Sequence, residues 1–450
     1  MVRPAFVAEE AGIPSVAIVA TSFLDLVHQL GVAEGVPEQR YAEYPGTFSV
    51  ESEGLIKERI EKKTFDQIVE ALTKPAGKSR MDLDGTSNHE DIRFAGTLEE
   101  ISESFRNNKL TDGLPIILPT ADRVEKFLKY TDRSPDEQVA ILPPGNLRAT
   151  PSNIAANGVM AGCRPEHMPL LMAAVEAISD PHYNLVQLGT TGGINPFLLI
   201  NGPIIQKLGL VYDIGLVSRG PNPSIGRALG LIIRNIANLR PAEQYMGTFG
   251  YIMPFVIAED EERSPWEPFH VEQGFDRNTS TLTACGTMNW GFQGFPSGND
   301  PEGHLKIICH EIVRNYDLYG PVNHGPLQMM TVLITPSVAE AIARGGYSKE
   351  AVNRYLFEHS RVSIGEISFV LKHGYALGGS ETIRSLIEKG SGIPKEWGNL
   401  GPEDMVPVLA YPGVVRVVVC GDRTRNKVMA LHAAYVRPTT KEIRAPRKLG

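Results

Sequence analysis

Ala11-Gly12-Ile13-Pro14-Ser15-Val16-Ala17-Ile18-Val19-Ala20-Thr21-Ser22 is the stretch on which the fold reading turns. Gly12-Ile13-Pro14 stops a helix ending over 5–11. Ser15 to Ala20 follows as a nearly continuous apolar run, as in a strand covered on both faces in a parallel sheet. Thr21 or Ser22 then caps a helix running from Phe23 to Leu30, and β-type residues return near Arg40 to Tyr44. This order is an α/β unit, but it opens on a crossover helix where a doubly wound domain opens on a strand. Residues 1–75 are therefore expected to be a truncated, incomplete Rossmann-like α/β domain.

Working outward, 51–74 reads as a charged amphipathic helix with Ile56, Ile60, Phe65, Ile68, Val69 and Leu72 on its apolar face. Residues 76–93 are polar and Gly-containing, the composition of a linker. A larger α/β domain is expected over 94–345, with a C-terminal α/β segment, 346–450, packing on it. Strands are expected at 138–142, 184–188, 197–201, 251–258, 329–335 and 414–420. Helices are expected at 97–108, 120–131, 152–162, 165–179, 224–238, 303–318, 336–344 and 348–360. Alternation with short loops is the pattern of α/β architecture. Nothing recurs at the 20–50-residue periods of solenoids, and the basic end from Arg437 to Lys448 reads as a tail.

The 450 residues, 42% hydrophobic and 21% charged, are enough for two or three ordinary globular cores. A net charge of −8 without a basic stripe argues against nucleic acid as a partner. No apolar run approaches the roughly 20 residues of a membrane helix, so no membrane partner is expected. The N-terminus has no signal-peptide core. The four cysteines, Cys163, Cys285, Cys309 and Cys420, lie far apart without CxxC spacing. That usage suits a reducing compartment, and the expected location is cytoplasmic.

Four polar corners carry the candidate chemistry. In Met160-Ala161-Gly162-Cys163-Arg164-Pro165-Glu166-His167, one helix ends and another begins at Pro165. A helix start and the Arg164 cation suit an anion beside the Cys163 thiol; the alternative is a buried corner with an inert thiol. Gly189-Thr190-Thr191-Gly192-Gly193-Ile194-Asn195, placed after a strand, offers converging backbone N–H groups to an anion or is a plain tight turn. It is neither GxGxxG nor a Walker A loop, so nucleotide binding is disfavoured, and the sequence identifies no cofactor.

In Ser218-Arg219-Gly220-Pro221-Asn222-Pro223-Ser224-Ile225-Gly226-Arg227, Asn222 or Ser224 caps a helix whose start Arg219 and Arg227 bracket. The alternative is that both arginines pair with carboxylates of the chain itself. The run from Glu259 to His270 ends in Trp266-Glu267-Pro268-Phe269-His270, whose prolines and aromatics argue for a fixed loop. Glu259, Glu267 and His270 there supply acid–base groups. No HExxH or tight His pair supports a metal. His324 sits on a Gly/Pro loop of the kind that displays functional side chains. No GxSxG elbow is present.

Several stretches together resemble the UGSC-motif family, named for a selenocysteine- or cysteine-Gly-Ser-Cys motif. They are Asp112-Gly113-Leu114-Pro115, Val159 to Pro165, Gly220 to Arg227, Ala258 to Pro268, and Tyr355-Leu356-Phe357-Glu358-His359. The Met-Ala-Gly-Cys-Arg-Pro-Glu and Ser-Pro-Trp-Glu-Pro stretches are the most specific. A more distant similarity to substrate-binding subunits of glycine, sarcosine and betaine reductases implies thiol- or selenol-linked chemistry on a small carboxylate. In the family the motif follows an early strand ahead of an Ala-Gly-Ile-Pro strand entry. This sequence has Ala11-Gly12-Ile13-Pro14 but no Cys-Gly-Ser-Cys. The resemblance thus implies either loss of the redox role or a small partner subunit that supplies the missing strand and motif, and a homo-oligomer is the other assembly expected.

The resulting expectation is an enzyme subunit that cleaves, forms or reduces a carbon–heteroatom bond in a small anionic metabolite. Cys163 is its nucleophile or thiol relay, activated by the helix start and Arg164. Glu259, Glu267 and His270 move protons. Arg164, Thr190, Thr191, Gly192, Gly193, Asn195, Arg219, Asn222, Ser224, Arg227 and His324 bind substrate. The alternatives are a non-redox lyase or hydratase, with or without a metal, and a non-catalytic large subunit supporting a partner that carries the reactive motif. On the first reading Cys163→Ser abolishes turnover, and the corners at 163–167, 189–193, 219–227 and 259–270 face one cleft.

Overall fold

The computed structural model describes residues 2–33, 36, 40–46, 48, 51–74, 94–250, 253–315, 329–374, 382–391, 393–433 and 435–446. The expected linker and His324 lie outside the described residues.

Residues 2–74 form a small α/β unit. Helix α1 (Val2–Glu10) ends before strand β1 (Ala17–Ala20), α2 (Leu24–Ala33) crosses over, and β2 (Tyr41–Tyr44) pairs parallel to β1. Helices α3 (Glu53–Arg59) and α4 (Phe65–Thr73) follow, joined by a π turn at Ile60–Thr64. Ser52 caps α3 by accepting from Leu55 N. The buried Thr64 hydroxyl donates to Glu43 O at 2.9 Å, which fastens this helical arm to β2. Ala17, Val19 and Val27 form a small core of their own.

The next elements are α5 (Leu98–Asn107), α6 (Ala121–Leu128), the β3 (Ala140–Leu142) and β4 (Leu147–Ala149) hairpin, α7 (Pro151–Ala161) and α8 (Met168–Ser179). Thr97 and Glu100 close a capping box on α5. Then come β5 (Asn195–Asn201), α9 (Ile204–Leu208), α10 (Asn222–Asn235), β6 (Phe255–Ala258), α11 (Phe269–Glu272) and β7 (Thr281–Thr287). After them run α12 (Pro301–Asn315), β8 (Met329–Ile334), α13 (Pro336–Arg344), α14 (Lys349–His359), β9 (Arg361–Ser363), α15 (Ile364–His373) and α16 (Ile383–Glu388). The last are β10 (Met405–Pro407), which pairs with β9, then β11 (Val415–Val419), β12 (Val428–Ala433) and β13 (Thr439–Glu442).

Two mixed sheets dominate, ordered β13-β7-β5-β6 and β11-β8-β12. Their inner faces meet. On β5, Phe197 and Leu199 join Leu333, Val418, Met429 and Leu431 of the other sheet in one core, while Leu198 and Ile200 turn outward to α7, α8 and α10. Met330, Val332 and Ile334 of β8 likewise turn outward to α12, α13 and α14. The result is four layers, helix–sheet–sheet–helix, and it explains the apolar runs: each central strand is covered on both faces.

The two halves share one topology. A leading helix (α8 or α12) precedes a central strand (β5 or β8), which crosses over to a parallel neighbour (β6 or β11). The chain then returns as an antiparallel strand on the other side (β7 or β12). The halves lie too far apart in sequence for a short-period search to find.

Four expectations need correction. Residues 184–188 are not a strand: Asn184 is left-handed (φ 61°) and starts a 3-10 turn, Leu185–Gly189, with Leu185 and Leu188 buried three apart. The glycine loop at 189–193 therefore follows a turn and leads into a strand. The basic end is not a tail. Its Thr439–Glu442 pairs with β7, with Thr440 and Thr283 hydroxyls 2.9 Å apart and Lys441 donating to Asp180 at 2.8 Å. The boundary at 345/346 separates β8 from β11 and β12, the two strands it pairs with, so 346–450 completes that sheet rather than packing on a finished domain.

Candidate acid–base site

Both parallel pairs, β5 with β6 and β8 with β11, end where open α/β sheets place their ligands, at the carboxyl edge. There the loop after β6 touches the end of β11, Asp260 N donating to Val419 O at 2.8 Å, and the loop after β11 touches the segment after α9, Gly421 N donating to Tyr212 O at 2.7 Å.

Glu259, the first residue after β6, is 1% exposed. Its Oε2 accepts from Asn201 Nδ2 at 2.5 Å and Phe269 N at 2.9 Å. Oε1 has no hydrogen-bond partner, and Lys349 Nζ stands 3.9 Å from it. The buried Lys349 ammonium donates to Glu272 Oε1 at 2.6 Å and to Glu267 O at 2.8 Å. Burial raises the Glu259 carboxyl above the ordinary carboxylate range, against the pull of Lys349 and the two donors to Oε2. Glu272 is raised for the same first cause.

Glu261 Oε1 accepts from Gly202 N at 2.7 Å and Asn201 Nδ2 at 2.9 Å, and lies 3.6 Å from His270 Nδ1. His270 is fully buried with Nε2 3.2 Å from Arg277 O. A carbonyl partner requires an N–H there, which leaves the Nδ1 lone pair toward Glu261 while the ring is neutral. A cavity of about 540 Å³ opens beside this cluster, with Gly202, Tyr212, Glu259, Asp260, Glu261 and Arg277 in its wall. Glu262 adds a fourth carboxyl against the one guanidinium. The field there repels a simple anion and attracts a cationic group. Among the described residues no three His, Cys, Asp or Glu side chains gather as metal ligands.

The model of the UGSC family matches residues 1–74. The N-terminal segment alone is similar to the UGSC family. No curated protein and no solved structure matches the chain. The acid–base cluster and both large sheets thus lie beyond the matched UGSC segment.

Of the four corners expected to share a cleft, only 259–270 lines this cavity, and they divide further. The loop of Thr190, Thr191, Gly192 and Gly193 enters the amino end of β5, with Gly193 N on Thr190 O at 2.9 Å and Thr248 N on Thr191 O at 3.0 Å. Asn195 is buried opposite Thr287. The length of β5, at about 3.3 Å per residue, puts this loop roughly 20 Å from Glu259. The reading of these residues as substrate contacts at one cleft is corrected on that ground.

The arginines take the alternative reading. Arg227 forms a two-pronged pair with Asp112, at 2.8 and 2.9 Å, and also donates to Pro115 O at 2.9 Å. Arg219 pairs with Asp213 at the surface. Asn222 is the first residue of α10 rather than its cap, and its buried amide ties Val211 N (3.0 Å) and O (2.8 Å) to Leu216 O (2.9 Å). Ser224 Oγ donates to Pro221 O at 2.9 Å. Arg164 is held by Leu208 O at 3.3 Å and Glu166 at 3.1 Å. Glu267 is mostly exposed and pairs with Arg277 at 2.7 Å, so its carboxyl stands at the rim.

The surroundings of Cys163 do not favour the activated nucleophile expected there. Its thiol donates to Ser224 O at 3.3 Å, and burial pushes it up to about 12, the reverse of activation. His167, pushed down to about 4 by burial, accepts from Arg164 N with Nδ1 at 3.2 Å. Cys163 is therefore expected to react with iodoacetamide at pH 8 about a thousandfold more slowly than free cysteine, because so little is thiolate. Mass spectrometry of timed samples checks this; rapid labelling at Cys163 restores the activated thiol.

Sequence reading missed Asn201, Glu272 and Lys349. Asn201 carried a signal, since a polar residue closes the apolar run Phe197 to Ile200. Lys349 had none: the first turn of a charged helix reads as solvent-facing.

Proposed function

We propose that this chain is an enzyme, or the large subunit of one, that moves a proton at a small metabolite, a non-redox lyase- or hydratase-type chemistry. The observation that carries this reading is Glu259. One carboxylate oxygen is fixed by Asn201 and Phe269 N, the other lacks a hydrogen-bond partner beside the cavity, and burial raises its affinity for a proton above the ordinary carboxylate range. A carboxyl so held serves as general base in one direction and general acid in the other. His270 and Glu261 stand behind it, with Nδ1 and Oε1 3.6 Å apart.

Four wall carboxyls and the rim guanidinium of Arg277 suit a zwitterion whose ammonium faces inward and whose carboxylate meets Arg277. The substrate class is then a small amino-acid-like carboxylate. Thiol-linked redox chemistry has less support, because burial raises all four thiols, Cys285 and Cys309 to about 11. The test is exchange of substrate C–H for deuterium in D₂O, followed by NMR across a panel of small amino acids and their N-methyl derivatives. Exchange that the Glu259→Gln variant loses supports the reading; no exchange with any member, or exchange unchanged in the variant, ends it.

One further observation favours the partner reading. Among the described residues β1 pairs only with β2, and a two-stranded parallel sheet is short of what stands alone. The free edge of β1 is where a partner's strand adds. Purification from the native source is expected to yield a particle containing a second, smaller chain. A particle of one chain, or of identical chains only, removes this proposal.

A further inference from the structure

The second half of the fold carries its own cavity at the equivalent edge, beyond the carboxyl ends of β8 and β11. Its volume is about 450 Å³, within the range of small-molecule sites. Where the first cavity has Gly202 after its central strand and Glu259 after the parallel one, the second has Thr335 and Cys420. Its chemistry differs. Leu216, Val217, Leu333 and Met429 make an apolar floor continuous with the core between the sheets, and Trp290 stands at the side, partly exposed.

Arg425 and Lys427 line the mouth, on a segment pinned from three sides. Thr335 N donates to Lys427 O at 3.1 Å, Lys427 N to Thr335 Oγ1 at 3.1 Å, and Ser337 Oγ to Arg425 O at 3.1 Å. The Lys427 ammonium lies over the Phe295 ring, 3.1 Å from its centre. Two carboxylates also line the cavity, and both are engaged. Asp213 pairs with Arg219, and Asp422 accepts from Thr424 N at 2.9 Å and Oγ1 at 2.7 Å. The first turn of α13 adds its positive end beside Thr335.

We infer that this second cavity binds a small organic monocarboxylate, its hydrocarbon body on the apolar floor against Trp290 and its carboxylate between Arg425 and Lys427. The apolar floor disfavours an inorganic anion, which would gain nothing from it and lose hydration. The inference stands apart from the proton-transfer reading and does not involve Glu259.

Titration calorimetry on the full chain with benzoate, phenylacetate and hexanoate tests it, with phenylacetamide as the neutral match of phenylacetate. At least one carboxylate is expected to bind with Kd below about 1 mM. Phenylacetamide is expected to bind at least about tenfold more weakly, as is phenylacetate to Arg425→Gln and to Arg425→Gln/Lys427→Gln. A tryptophan fluorescence change on binding is expected to vanish in Trp290→Phe, which places the ligand. Arg425 is exposed, so the single variant keeps the fold and the comparison remains readable. The inference is overturned if none of the three carboxylates binds, if the amide binds as well as the acid, if both arginine variants bind like wild type, or if the fluorescence change survives Trp290→Phe.

Discussion

Replacing Lys349 with alanine is expected to lower the unfolding free energy by about 3–5 kcal/mol, the usual cost of removing one partner of a buried ion pair. The Lys349 side chain is 6% exposed and serves three groups: Glu272 at 2.6 Å, the Glu267 carbonyl at 2.8 Å and Glu259 at 3.9 Å. Alanine leaves Glu259 enclosed without its cation, the part-exposed Glu272 without its partner, and a carbonyl without its donor. The loss depends on pH. Without the ammonium, Glu259 stays enclosed most cheaply as the neutral acid, so the deficit is larger at pH 8 than at pH 5. Lys349→Met keeps the packing of the stem and recovers part of the loss. Urea unfolding of wild type and both variants at the two pH values measures this. A loss below about 1 kcal/mol, or one that ignores pH, would show that Lys349 does not hold the cluster together.

Glu259→Gln is expected to lower turnover by about 10²–10⁴-fold, the contribution of a positioned acid–base group, while leaving the protein at least as stable near neutral pH. Glutamine retains an oxygen to accept from Asn201 and Phe269 N, so the geometry survives. The stability sign follows from the raised carboxyl. Burial makes the folded state hold the Glu259 proton more tightly than the unfolded chain, whose value is near 4.5. The stabilising contribution of that proton is therefore full below about 4.5 and lost as pH rises through the folded value. Glutamine does not titrate, so the thermal midpoint of the variant is expected to gain on wild type as pH rises through that window. A variant that stays active moves the proton transfer to another group. One that is inactive because it has melted shows Glu259 to be structural.

Local signals were legible where local physics decides them. Gly12-Ile13-Pro14 ends a helix and the run after it becomes β1, because a backbone stop and an apolar stripe need no distant partner. The helix expected at 97–108 forms as α5, closed by its own Thr97 and Glu100. The run from Glu259 to His270 was recognisable as a fixed polar loop, and two of the three acid–base residues expected there, Glu259 and His270, lie in the buried cluster. Pairing was not legible. Residues 281–287 and 439–442 are strands because they found each other across the sheet, Thr283 beside Thr440, and neither is strongly periodic alone.

From its sequence alone this chain determined an α/β alternation, most helix and strand positions, and which side chains carry charge or a thiol. Those properties depend on neighbours a few residues away. The state and employment of the charged groups were decided only by tertiary structure. Arg227 on α10 meets Asp112 from between α5 and α6, the Cys163 thiol donates a hydrogen bond to a carbonyl on α10, and Glu259 shares Lys349 across the boundary between two sheets. Charge and proton affinity follow the local field and the loss of water, and both are set by residues distant in sequence that folding brings within a few ångströms.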